Sequence, residues 1–225
     1  MEYIVQDPKQ SPIVKVIGIS GGSASGKSEV ATLMIGEIIK VATPGTQIFR
    51  LGMDGFYKNL PPFTNAATYN FDHPDSVDID EFKTTLQNLK CGKQAMVFHY
   101  DFVSHKRSQN VTNLQINPFA KTVIIIVEGI FAFDQRLTPL YDDKIWIHAD
   151  IEIRLARRIA RDIRERGRTE KCVKEQWENT VQKTFAQFEN KYKQQAIRII
   201  PNNSQDYEEI IQTFVIPYST GEIPR

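Results

Sequence analysis

A chain of 225 residues, 41% hydrophobic and 24% charged, is long enough for one sizeable core and is ordinary for a globular protein. Its 28 Lys and Arg against 27 Asp and Glu leave a formal charge of +1, which excludes a globally basic polyanion binder, so any anion site must come from local clustering. Cys91 and Cys172 form no CxxC pair, which excludes a disulfide framework or zinc site, and the longest aliphatic run, "VIIIV" (123–127), is too short to cross a bilayer. No basic, apolar leader opens the sequence, so a soluble cytoplasmic protein is expected.

In chain order, "IVKVIGIS" (13–20) reads as a strand ending in a glycine-rich loop. Residues 28–41 then place Val30, Leu33, Met34, Ile38 and Val41 at helical spacing, Pro44-Gly45 stops the helix, and 46–51 reads as a second strand. After a Pro- and Asn-rich stretch (59–76), a helix is expected over about 77–90. Residues 94–100 and 110–117 read as the arms of a β-hairpin, joined by the polar "DFVSHKRSQ". The run 122–127 suits a strand covered on both faces, and 144–149 a further strand. Helices follow at about 151–166 and 170–190, then a strand at 196–201 and a helix at 206–216. The pattern predicts a single α/β domain over 1–225: a mostly parallel sheet with helices on both faces, a β-hairpin insertion at about 93–117 and an Arg-rich helical lid at about 154–176.

Gly21, Gly22, Ser23, Ala24, Ser25, Gly26, Lys27 and Ser28 fit GxxxxGK[ST] between that strand and helix. Such a loop turns its backbone N–H groups toward phosphate oxygens, and the following helix adds its positive end. Lys27 then reaches the β- and γ-phosphates of a nucleoside triphosphate, and the Ser28 hydroxyl reaches Mg²⁺. The guanine-reading motif of GTPases is missing: "NKYK" (190–193) has Lys193 in place of the aspartate. Asp54, after the second strand, and Glu128, ending "VIIIVE", both belong at the carboxyl edge of a parallel sheet. One can serve the metal while Asp54 takes a proton from an attacking hydroxyl.

Seven arginines against two acids fill 154–168. Arg154, Arg157 and Arg164 read as a solvated face, whereas Arg158 and Arg161 share one side of the helix and Arg166-Gly167-Arg168 breaks it. Guanidiniums of this kind bind and neutralise phosphate oxygens. Nucleic-acid binding is the alternative use of such a cluster, but no aromatic platform is interleaved with it.

The motifs "GGSASGKS", "DGFY" (54–57), "NFDHPD" (70–75), "YDFVSH" (100–105), "VEGI" (127–130) and "RRIARDIRERGR" (157–168) together resemble the uridine (uridine–cytidine) kinases, in the branch of P-loop nucleoside kinases that also holds phosphoribulokinase. The resemblance runs from about Val16 to Pro201 and implies transfer of the ATP γ-phosphoryl to the 5′-hydroxyl of uridine or cytidine, as in pyrimidine salvage. It implies ATP and Mg²⁺, a small nucleoside substrate, no nucleic acid or membrane partner, and a homo-oligomer. It assigns Asp54 as base, with Lys27, Arg161 and Arg166 acting on the transferred group. Ser28, Glu128 and Asp54 would stand at the metal, and Arg158 and Arg161 would face the phosphates. Asp72 would hold the ribose hydroxyls. Tyr57, Phe71, Tyr100 and Phe102 would line the nucleoside pocket, His105 would meet the pyrimidine edge, and Arg158, Arg168 and Gln176 would reach the nucleoside. The sequence departs from the pattern at "TVQKTF" (180–185), where relatives carry a proline at the position of Lys183, and at "VFHY" (97–100). A kinase of another hydroxyl substrate and a non-catalytic ATP- or nucleic-acid-binding protein are the alternatives.

Overall fold

The computed structural model describes residues 11–204. β1 (Ile13–Gly21) is buried over its last six residues and runs into the glycine loop, from which α1 (Lys27–Val41) emerges. β2 (Thr46–Gly52) and β1 both pair in parallel with β5 (Thr122–Glu128). β6 (Asp143–His148) adds to the other side of β1, and β7 (Arg198–Pro201) adds to β6, again in parallel. The sheet order is β2-β5-β1-β6-β7.

Side chains alternate across each strand, so the apolar run of β5 feeds two cores. Ile124 and Ile126 join Ile17 and Ile19 against Val30, Ala31, Met34 and Ile38 of α1. Val123, Ile125 and Val127 face the opposite core, which α2 (Ile79–Lys90) closes with Phe82, Leu86 and Leu89, and α5 (Gln182–Gln195) with Phe185 and Tyr192. Each such fully buried side chain contributes roughly 1.5–3 kcal/mol. The Asp78 carboxylate caps α2 by accepting from the Glu81 N–H at 2.9 Å.

Register then places the chemistry. Ile19 and Gly52 both stand opposite Glu128, so β1, β2 and β5 end at one level. The glycine loop, the turn carrying Asp54 and the Glu128 side chain therefore share the carboxyl edge of the sheet, where open α/β sheets bind ligands.

Two boundaries differ from the sequence expectation. β3 (Ala95–Asp101) and β4 (Lys106–Leu114) pair up to Asp101 and Lys106, leaving only 102–105 as the hairpin tip. The polar 106–110 segment joins the ladder because a two-stranded sheet with a wet face demands no apolar alternation. The ladder slips between Phe98 and Tyr100, within the "VFHY" departure. The helix expected to end near 190 is α4 (Glu170–Gln176), a π-turn (Trp177–Val181) and α5, continuing to Gln195. Lys183 keeps the N–H that a proline would remove, so the helix passes through this position. Between β6 and α4, α3 (Ile151–Arg166) matches its expected span and ends at Gly167. The helix expected at 206–216 lies outside the described residues. Among the described residues, no helix is long and apolar enough to cross a membrane.

Candidate active site

Gly21–Ser28 joins β1 to α1 as a tight loop. Gly26 sits at φ 94°, which strains any side chain, and a Cβ there would lie 2.2 Å from Asn202 Nδ2 and push that amide from its place. Asn202, at the end of β7, braces the loop by donating from Nδ2 to the Ser25 carbonyl at 2.8 Å. The buried Ser25 hydroxyl has no partner among the described residues. Lys27 Nζ donates to the Gly22 carbonyl at 2.8 Å. Burial draws this ammonium down to about 8, against the opposing pull of the Glu128 and Asp54 carboxylates. The loop thus presents a desolvated cation and open polar groups, which suit a polyphosphate.

Asp54 lies in the 3₁₀ turn Met53–Phe56 directly after β2. The residue is exposed to the cavities beside it, yet desolvation by the protein packed around its carboxyl and the neighbouring Glu128 carboxylate push that carboxyl upward, while Arg166, Arg161 and Lys27 act against the shift. A raised carboxyl suits a proton acceptor. Glu128 is buried at the end of β5, with Oε2 accepting from the Ser28 hydroxyl at 3.1 Å and Oε1 from Arg50 Nη2 at 2.8 Å.

Besides two openings lined in part by Arg50, two cavities open along this edge. One is lined by Ser23, Tyr57, Phe71, Asp72, His105, Arg158 and Arg168. The other lies between Gly26, the hairpin tip and the outer face of α3. Ala24, Lys27, Ser28, Asp54, Phe102, Arg161 and Arg166 line both. Asp54 therefore stands where the two chambers meet, which is the place for a group that acts on both a donor and an acceptor.

The first chamber is built around a buried ion pair. Arg158 Nη1 and Nη2 donate to the two Asp72 oxygens at 2.9 and 3.0 Å, and the same guanidinium reaches Ser23 Oγ at 2.8 Å and Gln176 Oε1 at 3.1 Å. Burial works to raise the Asp72 carboxyl, but Arg158, by charge and hydrogen bond, brings it below the usual carboxylate range. Gln176 also accepts from Arg168 and donates to the Tyr69 carbonyl at 3.3 Å. His105, at a left-handed φ of 55°, stacks on Phe71 with centroids 4.6 Å apart, and its buried Nδ1 has no partner among the described residues. Burial and Arg168 lower the His105 pKa, which favours the neutral ring. Tyr57 packs on Tyr100 and Phe102 at 5.3 and 5.6 Å. Tyr100 does not line this chamber: it lines the second one, behind Tyr57.

The arginines divide by burial. The fully buried Asp162 lies one turn from Arg158 and Arg166 and gathers Arg158, Arg161, Arg166 and Arg168 at 2.8–3.8 Å. Arg166 crosses the ring of Phe102 at 3.9 Å from its centroid, so the end of α3 closes on the hairpin tip. Arg164 is solvated beside Glu165, as expected, while Arg157 binds the Asn202 and Asn203 carbonyls. Arg154 corrects the solvated reading: it is buried, packs against Gly22, and lies 5.6 and 5.1 Å from the Trp177 and Phe185 centroids. Those aromatics lie in the helical run 170–195, which the Arg-rich segment alone does not reveal.

Residues 16–207 match the model of the phosphoribulokinase / uridine kinase family. The chain belongs to that family. A uridine-cytidine kinase A of Dictyostelium discoideum is 38% identical over 192 residues, covering 85% of this chain, which spans only 36% of that longer protein. A uridine kinase of Borreliella burgdorferi (strain ZS7) is 35% identical over 207 residues, covering 90% of this chain and 95% of its own length. Among solved structures, the phosphoribulokinase of Rhodobacter spheroides superposes with a TM-score of 0.50 at 15% identity, covering 78% of this chain and 67% of its own, and so shares the fold. Within this member of the family the structure brings the glycine loop, Asp54, Glu128, Asp72, His105 and the four arginines Arg158, Arg161, Arg166 and Arg168 to one edge. Arg50, Asp162, Asn202 and Arg107 also shape the site but were not singled out from sequence. Of these only Asp162 carried a signal, its i±4 spacing to two arginines. Arg107 ties the hairpin down by donating to the Tyr57 and Phe56 carbonyls and pairing with Glu81.

Proposed function

We propose that this chain moves the γ-phosphoryl of ATP onto the 5′-hydroxyl of uridine or cytidine, giving UMP or CMP and ADP. The observation that carries the reading is Asp54 at the junction of a phosphate-cradling chamber and a chamber with an acceptor carboxylate and an open histidine edge. Asp54 takes the 5′-hydroxyl proton as the O5′–P bond forms and the bond from the γ-phosphorus to the bridging oxygen breaks. Lys27, Arg161 and Arg166 neutralise the charge spread over the transferred group. The Asp72 oxygens, each with a lone pair left after the Arg158 contacts, accept from the ribose diol. The neutral His105 ring donates or accepts by tautomer, which suits O4 of uracil and the N4 amine of cytosine.

Ser28 and Glu128, with Asp54 nearby, form an all-oxygen donor set that fits a hard divalent cation. Ser28 and Glu128 would hold a magnesium ion there, and its positive charge would offset that of the phosphates. We further propose a cytoplasmic homo-oligomer of single-domain subunits, a setting in keeping with the two free cysteines.

A nucleoside panel assayed for ADP release tests the base assignment. Uridine and cytidine should be turned over efficiently and purine nucleosides poorly, because a second ring would have to displace the hairpin tip. Better turnover of adenosine, or of a sugar phosphate, would refute the substrate assignment and leave the kinase assignment standing.

A further inference from the structure

We infer that Arg50 is a positioning residue that fixes Glu128, and with it Ser28, in the arrangement a divalent cation needs. The inference rests on the magnesium reading above. An arginine on an edge strand is ordinarily a solvated cation. On β2, however, Phe49 and Leu51 enter one core, so alternation turns Arg50 to the α1 side. There Nη2 donates to Glu128 Oε1 at 2.8 Å and Nη1 donates to Thr32 Oγ1 at 3.1 Å. The Thr32 hydroxyl in turn donates to the Ser28 carbonyl at 2.9 Å. One planar fork therefore ties together the two chain segments that carry the metal-facing groups, which a lysine head could not span.

The far side of the carboxylate is also defined. A Cβ on Gly52 would lie 3.1 Å from Glu128 Oε1, so a side chain there would press the carboxylate out of its place by a few tenths of an ångström. With Oε1 held between Arg50 and the Gly52 backbone, Oε2 is left facing Ser28. A carboxylate already oriented loses less freedom when it takes a ligand, and hydrogen-bonded partners of this kind strengthen metal binding. The Arg50 side chain is 37% exposed, so solvent screens its charge and orientation outweighs repulsion of the cation.

The test uses Mn²⁺ as a spectroscopic probe. Free Mn²⁺ is measured by electron paramagnetic resonance during titration of the protein with ADP present, and metal-free ADP binding is measured by calorimetry. Arg50→Ala should weaken Mn²⁺ binding in the ADP complex by about tenfold, with metal-free ADP binding near parental. Arg50→Gln keeps part of the stem and a donor, and as a second, milder variant should show a loss of the same sign. Unchanged or tighter Mn²⁺ binding in both would overturn the inference, as would an equal loss of metal-free ADP binding. If the parental protein took up no Mn²⁺ with ADP, the magnesium reading itself would fall.

Discussion

Asp54→Asn is expected to lower kcat by roughly 10²–10⁴-fold, with nucleotide binding close to parental. The amide is nearly isosteric and leaves the turn after β2 and the glycine loop undisturbed, but it cannot accept the 5′-hydroxyl proton. Its place where the two chambers meet fits Asp54 for this exchange, and the upward push on its carboxyl from the protein around it and from Glu128 acts in the same sense. Removing its negative charge should also relieve repulsion of the phosphates, so metal-free ATP affinity should not fall with kcat. Stopped-flow turnover together with calorimetric binding separates the two quantities. A variant with parental kcat would remove Asp54 from proton transfer.

Arg158→Met is expected to cost about 3–5 kcal/mol of folding stability, measured by urea unfolding at neutral pH. Arg158 and Asp72 are both buried, and the arginine fills both carboxylate oxygens as well as Ser23 and Gln176. Methionine fills much of the volume but leaves a buried carboxylate without its counter-charge. The double variant Asp72→Asn/Arg158→Met removes that charge and should recover part of the loss. The pH dependence has a fixed sign. Arg158 depresses the Asp72 carboxyl in the folded state, so the pair stabilises above the unfolded carboxylate pKa, and the contribution is lost as pH falls through the lower folded value. In Arg158→Met burial pushes the Asp72 carboxyl upward instead, so this contribution to the acid limb should disappear and the deficit against the parent should shrink as pH falls. Equal stability of the single variant and the parent would mean that the pair is not dehydrated as drawn.

The fold and the site were legible in the sequence to different degrees, for physical reasons. β5 could be read because a strand covered on both faces shows an unbroken apolar run, and the glycine loop because phosphate cradling demands particular residues at fixed offsets. The hairpin arms were misplaced because residues 106–110 are polar, with Arg107 half-buried on hydrogen bonds, and carry no period-two apolar signal. The π-turn at Trp177–Val181 has no simple sequence mark, yet it lies directly after Gln176, which holds two arginines. Arg154 reads as solvated until Trp177 and Phe185 are packed over it. Arg50 could not be assigned from its surroundings in the sequence, because Glu128 lies 78 positions away and becomes its neighbour only through the β2–β5 pairing. Asp162 was visible as an acid among arginines, but its complete burial, which makes it their common anchor, belongs to tertiary packing.

The central claim is that the γ-phosphoryl passes directly to a pyrimidine nucleoside at Asp54. The most direct measurement follows label from γ-³²P-ATP in the presence of uridine and Mg²⁺, with products separated chromatographically. The account predicts label in UMP at a rate equal to ADP release, and loss of both in Asp54→Asn. Label found only in inorganic phosphate, or UMP formation untouched by Asp54→Asn, would contradict it.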